Sequence, residues 1–146
     1  MLFKTVSLIN NNGIFHLDIK PSRVLYNINK KELKLAGFFY SSINKRNTNP
    51  LINYKCGTND LMTPQQTEDE DYCGRDVDLW GIAQTIYFCL QGSYVCDNYG
   101  EDKKLKFEVK VSKECENLIT KMLAHDVENR LTPDEIFSHP WLNEKE

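Results

Sequence analysis

The chain has 146 residues, with 18 Lys and Arg against 21 Asp and Glu, a formal charge of −3 and a pI near 5.7. That balance argues against a basic nucleic-acid binder and against an acidic disordered tail. The length suits one domain, which buries roughly 70% of the surface its unfolded chain exposes. Five cysteines, an odd number with no C-x-x-C pair, argue against a disulfide scaffold or a zinc ribbon and for thiols in a reducing compartment, cytoplasmic or nuclear.

Met1 to Asn12 carries one Lys and lacks the apolar core and cleavage site of a signal peptide. Leu2, Val6 and Ile9 fall at helical spacing, and Asn10-Asn11-Asn12-Gly13 stops that helix. Residues 14–28 are short apolar pieces around a polar knot, His16 to Arg23. Val24-Leu25-Tyr26 and Leu33-Lys34-Leu35 predict two brief strands across a polar turn. Residues 41–53 read as a polar loop, and another loop runs through Pro64 and the acidic run from Glu68 to Asp71. Lys30, Lys31, Lys34, Lys45 and Arg46 form either a phosphate site or a solvated face. Val77 to Leu90 is apolar on nearly every side, and its stretch from Leu79 to Leu90 is twelve residues, too short for a bilayer. A helix of that kind belongs at the centre of a helical domain. Asp97 to Lys104 has room for one turn. Ser112 caps a helix that carries Leu118, Ile119, Met122 and Leu123 on one face. Thr132-Pro133-Asp134-Glu135 supplies a cap, a Pro at the first position and a capping-box Glu for a last helix that stops before Pro140.

The segment His16-Leu17-Asp18-Ile19-Lys20-Pro21 places an Asp and a Lys two apart on a loop between apolar pieces. That pattern fits a base with an electrostatic partner, and equally a turn with a solvated charge pair. Further along the chain come, in order, Leu33-Lys34-Leu35-Ala36-Gly37-Phe38-Phe39, Cys56-Gly57-Thr58, Thr63-Pro64-Gln65, Asp76-Val77-Asp78-Leu79-Trp80, Arg130 and His139-Pro140-Trp141. In this order the segments resemble the C-terminal lobe of a eukaryotic protein kinase, over residues 1–142, with 143–146 as a tail. The position of Lys20 resembles the serine/threonine branch. Lys31 to Ser41 and Cys56 to Asp60 resemble Aurora kinases, and Glu114 to Leu142 resembles calmodulin-dependent kinases. The implied fold is mainly α, a kinase C-lobe with a small two-stranded β element and with the N-lobe absent from the chain.

The resemblance assigns catalytic roles to Asp18, which would orient a substrate hydroxyl and accept its proton, to Lys20, which would stabilise the transferring phosphoryl group, and to Thr58, which would hold Asp18. Leu25 would lie beneath the adenine. The metal side departs from the family. Arg23 stands where an Asn ligand belongs, Gly37 where the Asp of Asp-Phe-Gly belongs, and Phe39 where its Gly belongs, which stiffens the usual hinge. A guanidinium cannot bind a cation. If metal stabilisation is worth ~4 kcal/mol, its loss is on the order of a thousandfold in rate. Arg23 reads either as a cation standing in for magnesium, paired with Asp18, or as drift. Leu17 replaces the Arg that grips an activation-loop phosphate, and Asn53 replaces the phosphorylated Thr, so loop phosphorylation at Thr48, Ser41 or Ser42 is not expected to activate. Structural positions are retained: Asp78 to tie down the loop, His16 and Phe38 to stack, and Arg130 to pair, here with Gln65 in place of a Glu. The cysteines, Cys56 of the Cys-Gly-Thr motif aside, read as packing residues.

These points imply an inactive serine/threonine kinase, a pseudokinase fragment that acts as a binding or regulatory module and needs no cofactor and no metal. The alternative is an unconventional ATP- and magnesium-dependent serine/threonine kinase whose N-lobe is supplied elsewhere. Either way the face that meets an N-lobe in the family would be exposed, so a protein partner is expected, and neither nucleic acid nor membrane.

Overall fold

The computed structural model describes residues 1–44, 51–98 and 105–143. Helix α1 (Leu2–Asn11) buries Phe3, Val6 and Asn10. Its inward face is therefore turned slightly from the expected Leu2-Val6-Ile9 stripe, and it ends on a polar side chain. Strand β1 (Ile14–Phe15) leads into the loop that carries Asp18, and a 3₁₀ turn at Pro21–Arg23 leads out of it. Strands β2 (Val24–Asn27) and β3 (Glu32–Leu35) then pair antiparallel, Val24 opposite Leu35 and Asn27 opposite Glu32, as their sequence predicts.

Two more ladders correct the reading of 41–53 as loop and of a single two-stranded element. Strand β4 (Ser42–Ile43) pairs with β1, Ile14 opposite Ile43, and β5 (Leu51–Ile52) pairs with β6 (Tyr72–Cys73). Strands of two residues show no alternation, and their partners lie far away in sequence, so no local pattern reports them. Lys45, Arg46 and Thr48 lie outside the described residues. The stretch around Pro64 is likewise a helix, α2 (Pro64–Thr67), rather than loop. Its capping box uses Gln: Thr63 accepts from the Gln66 N–H at 3.2 Å, and the Gln66 side chain accepts from the Thr63 N–H at 3.0 Å.

Helix α3 (Gly74–Gln91) is the expected central helix, begun three residues earlier than the apolar run suggests. Ile82, Ala83 and Tyr87 on it are fully buried. Residues 99–104, most of the stretch assigned one turn, lie outside the described residues; Val95–Asn98 just before them forms a 3₁₀ turn. Helix α4 (Lys113–Met122) starts at the Ser112 cap, which accepts from the Cys115 N–H at 3.2 Å. Helix α5 (Pro133–Ser138) starts at the expected Thr132 capping box and stops at His139, and a further short helix, α6 (Pro140–Asn143), follows it.

The main core lies between α1, α3, α4 and α5, with Leu118, Ile119 and Ile136 at 1% exposure or less. At Gly81 a side chain is sterically barred, because a Cβ there would stand 2.7 Å from the Ile19 carbonyl oxygen. The backbone of α3 thus touches the loop that carries Asp18. A second, smaller core gathers Phe15, Leu17, Ile52, Cys56, Tyr72 and Val77. All five cysteines are thiols; Cys56 and Cys115 pack inside, whereas Cys89 and Cys96 are exposed, which corrects their reading as packing residues. Among the described residues no helix is long and apolar enough to cross a membrane.

Candidate functional site

The loop from His16 to Lys20 is held from below by one carboxylate. Asp78, fully buried on α3, accepts from the His16 N–H at 2.9 Å and from the Leu17 N–H at 2.8 Å. Asn10, at the end of α1, donates to the same carboxylate at 2.7 Å and to the Ile14 carbonyl at 3.0 Å. Burial pushes the Asp78 carboxyl up to about 6 even against these three donors. Local pattern marks Asn10 only as part of a helix stop. The sequence offers no signal for its link to a residue 68 positions away.

These bonds fix a sharp bend. Leu17 has φ +63, a conformation that costs a branched side chain roughly 1–2 kcal/mol. It is 2% exposed and packs in the second core, so burial and the two bonds to Asp78 offset the strain. His16 is also buried, and burial lowers its pKa against the opposing pull of the Ala36 carbonyl and Asp18. Its Nε2 lies 3.0 Å from the Ala36 carbonyl, which can only accept, so Nε2 carries the proton. Nδ1 is then bare and accepts from the Asp18 N–H at 3.2 Å. The Phe38 ring packs against the imidazole with centroids 4.6 Å apart, tilted by 59° rather than stacked as expected of these two positions.

The bend presents Asp18, and the structure brings Lys20 and Thr58 to it. Thr58 donates to Asp18 Oδ1 at 2.6 Å, and Lys20 donates to the Thr58 hydroxyl at 2.5 Å while standing 3.3 Å from Oδ2. Arg23 joins them: Nε at 3.2 Å and Nη2 at 3.0 Å, both on Oδ2. Burial alone would raise the Asp18 carboxyl, but Thr58, Arg23 and Lys20 together hold it below its ordinary value. A carboxylate offers about four lone-pair directions, and four donor contacts surround this one. Its side chain is only 2% exposed. As arranged, Asp18 is an ionised carboxylate and a weakened base: three of the four contacts crowd Oδ2, and Oδ1 takes Thr58 alone. The depression it lines with Ile19, Gly57 and Thr58 holds about 10 Å³, at most one water.

Leu25 is not part of this centre. It is 57% exposed on β2 and lines an open groove of about 590 Å³ with Lys30 and Lys34. A larger apolar cavity, about 600 Å³, lies away from Asp18 between α2, α3 and α4, lined by Met62, Trp80, Gln84 and Leu123.

The residues present do not fit a divalent cation. Arg23 puts a positive guanidinium on the one carboxylate here, and Gly37 has no side chain to replace the missing ligand. Among the described residues no group of three His, Cys, Asp or Glu is gathered to hold a metal. The left-handed backbone that a Gly at position 39 would supply occurs instead at Gly37, φ +84, and Phe39 sits in a 3₁₀ turn with its ring 85% exposed. Arg130 makes the expected neutral–charged bond: Nη2 to Gln65 Oε1 at 2.7 Å, with Nε on the Ala124 carbonyl at 2.8 Å and the guanidinium 4.8 Å from the Trp80 ring.

Comparison with known proteins shows the family. Residues 1–142 match the pattern described as Protein kinase domain. The chain is 29% identical to a human SNF-related serine/threonine-protein kinase over 94% of its own length and 19% of that protein's. It is 28% identical to CBL-interacting serine/threonine-protein kinase 14 of Arabidopsis thaliana, over 98% of the chain and 34% of the relative. It is 27% identical to the serine/threonine-protein kinase kin-29 of Caenorhabditis briggsae, over 94% and 18%. The chain thus spans between about a fifth and a third of the length of these curated relatives.

Proposed function

The chain belongs to the protein kinase domain family, and from that premise we propose that it is an inactive, serine/threonine-type member that serves as a binding or regulatory module. One observation carries the reading: Arg23, at the position where the family pattern has an Asn metal ligand, puts its guanidinium on Asp18 Oδ2 at 3.0 Å. Asp18 is crowded by cations on Oδ2 and its carboxyl is held below its ordinary value, which suits a structural anchor better than a proton acceptor. Loop phosphorylation is not the switch in this reading, because Leu17 is buried among apolar side chains where a phosphate-binding Arg would need to reach out.

The partner is a protein. Leu25, Tyr26, Ile28 and Phe39 are all more than half exposed on and beside the β2–β3 hairpin, and a concentration of large exposed apolar side chains supports an interaction face. The deciding experiment is a thermal-shift titration with ATP, with and without magnesium, alongside a phosphotransfer assay. The reading expects no magnesium-dependent shift and no transfer; transfer at the rate of an ordinary kinase refutes it. One observation favours a second reading, a serine/threonine kinase completed by further sequence: Asp18, Lys20 and Thr58 are assembled within 3.3 Å of one another. Magnesium-dependent activity in a longer chain that contains this one would decide for it.

A further inference from the structure

Three departures from the kinase pattern, at positions 23, 37 and 39, meet at one point. The Arg23 side chain runs across the backbone of Gly37 on its way to Asp18. A Cβ placed on Gly37 would stand 2.6 Å from Arg23 Cδ, 2.7 Å from Nε and 2.9 Å from Cζ, closer than non-bonded heavy atoms can approach. Phe39, itself 85% exposed, lies beside it with its ring centroid 5.8 Å from the guanidinium carbon, within range of a cation–π contact. A side chain at residue 37 would therefore push the Arg23 side chain out of this position.

We infer that Arg23 is the resident cation on Asp18 Oδ2, seated in the space that a side chain at position 37 would need, and that Arg23 and Gly37 act as one fitted pair with Phe39 beside them. The guanidinium is permanently charged and covalently attached, so it neutralises Asp18 at all working pH values and cannot be chelated away. Nothing in the separate loss of two metal ligands requires this geometry. Drift would leave two independent gaps, whereas here one residue fills both. It follows that neither site can be reverted alone. Gly37→Asp meets the stem of Arg23, and Arg23→Asn strips Asp18 of two donors.

The inference rests on reading the centre as metal-free, and its test separates the two ideas. Gly37→Ala and Gly37→Asp are each made in the wild-type chain and in an Arg23→Asn background, and thermal unfolding is followed with and without millimolar Mn²⁺ or Mg²⁺. The strain of a side chain at φ +84 is common to both backgrounds and cancels in the cycle. Gly37→Ala is expected to lower Tm by several degrees more with Arg23 present than in the Arg23→Asn background. Equal losses overturn the inference. Only the Arg23→Asn/Gly37→Asp double variant is expected to gain a Tm increase from Mn²⁺. A double variant indifferent to Mn²⁺, or a wild-type chain that Mg²⁺ stabilises, overturns the assignment of this volume to a cation. Should Gly37→Asp fail to fold, the Gly37→Ala pair still decides the steric coupling. Phosphotransfer by the wild-type chain without any divalent ion would sink the inactive reading and leave this inference standing.

Discussion

Replacing Asn10 by Ala removes a single amide that holds two elements to the loop of Asp18. Two bonds are lost, one to a buried carboxylate at 2.7 Å and one to the Ile14 carbonyl at 3.0 Å. A hydrogen bond to a charged group contributes about 2 kcal/mol and a neutral one about 1, so the expected loss is about 3 kcal/mol at pH 7.5. For a domain of this size that lowers Tm by roughly 6–12 °C. The charged part of the loss has its own signature. Asp78, already raised to about 6, rises further without its donor, so at pH 5 it is protonated and only a neutral bond is lost there. The loss should shrink to about 2 kcal/mol, one neutral bond to the carboxyl and one to Ile14. The assay is urea unfolding of both proteins at the two pH values. His16 titrates in both and cancels in the difference. A loss below about 1 kcal/mol at pH 7.5, or one that is equal at both pH values, refutes the account of Asn10 as the partner of an ionised Asp78.

Asp78→Asn tests the same centre from the other side. The folded pKa of Asp78 lies above its ordinary 3.8, so the ionised form penalises the fold fully above about pH 6 and not at all below 3.8. Asp18 is lowered and does the reverse, its stabilisation present above 3.8 and lost as the pH falls through its folded value. Wild type should therefore gain on Asp78→Asn as pH falls from 7 to 4.5, and a slope of opposite sign in the urea midpoints refutes this. Leu17→Arg, which restores the family residue, places an unpaired guanidinium in the second core and should destabilise by about 4 kcal/mol with an unchanged m-value; a cost under 1 kcal/mol would show that the side chain escapes to solvent. Thr63→Ala and Thr132→Ala each remove a helix cap at about 1 kcal/mol, the former costing more because Thr63 and Gln66 are buried while Thr132 and Glu135 face water, to be read by comparing the two Tm losses.

The legibility of fold and site in the sequence depends on distance along the chain. The Ser112 and Thr132 caps, the β2–β3 hairpin and the all-round apolar α3 are written in neighbouring residues, and they fold as written. The contacts of Asp18 with Lys20 and Thr58 are legible only through the resemblance, because motif order encodes a spatial relation that spacing alone does not. The β1–β4 and β5–β6 ladders, Asn10 on Asp78 and Arg23 over Gly37 join residues far apart through one or two contacts each, too few to impose a period on any segment. Arg23 is instructive. Its pairing with Asp18 is one of the two readings the sequence allows, but the requirement for a bare backbone beneath it exists only in three dimensions.

The second core also fixes how the segment that contains Ile52, Cys56 and Tyr72 responds to its surroundings. A clasp built on a phosphate and an arginine loosens in salt and is opened by a phosphatase. Leu17, Ile52 and Val77 offer nothing for salt to screen or an enzyme to cleave. What does weaken apolar burial is cold, because its driving force near room temperature is entropic. The apolar part of this hold therefore escapes charge screening and weakens on chilling, whereas the Lys55–Asp69 pair and the Thr58 bond to Asp18 on the same segment remain electrostatic.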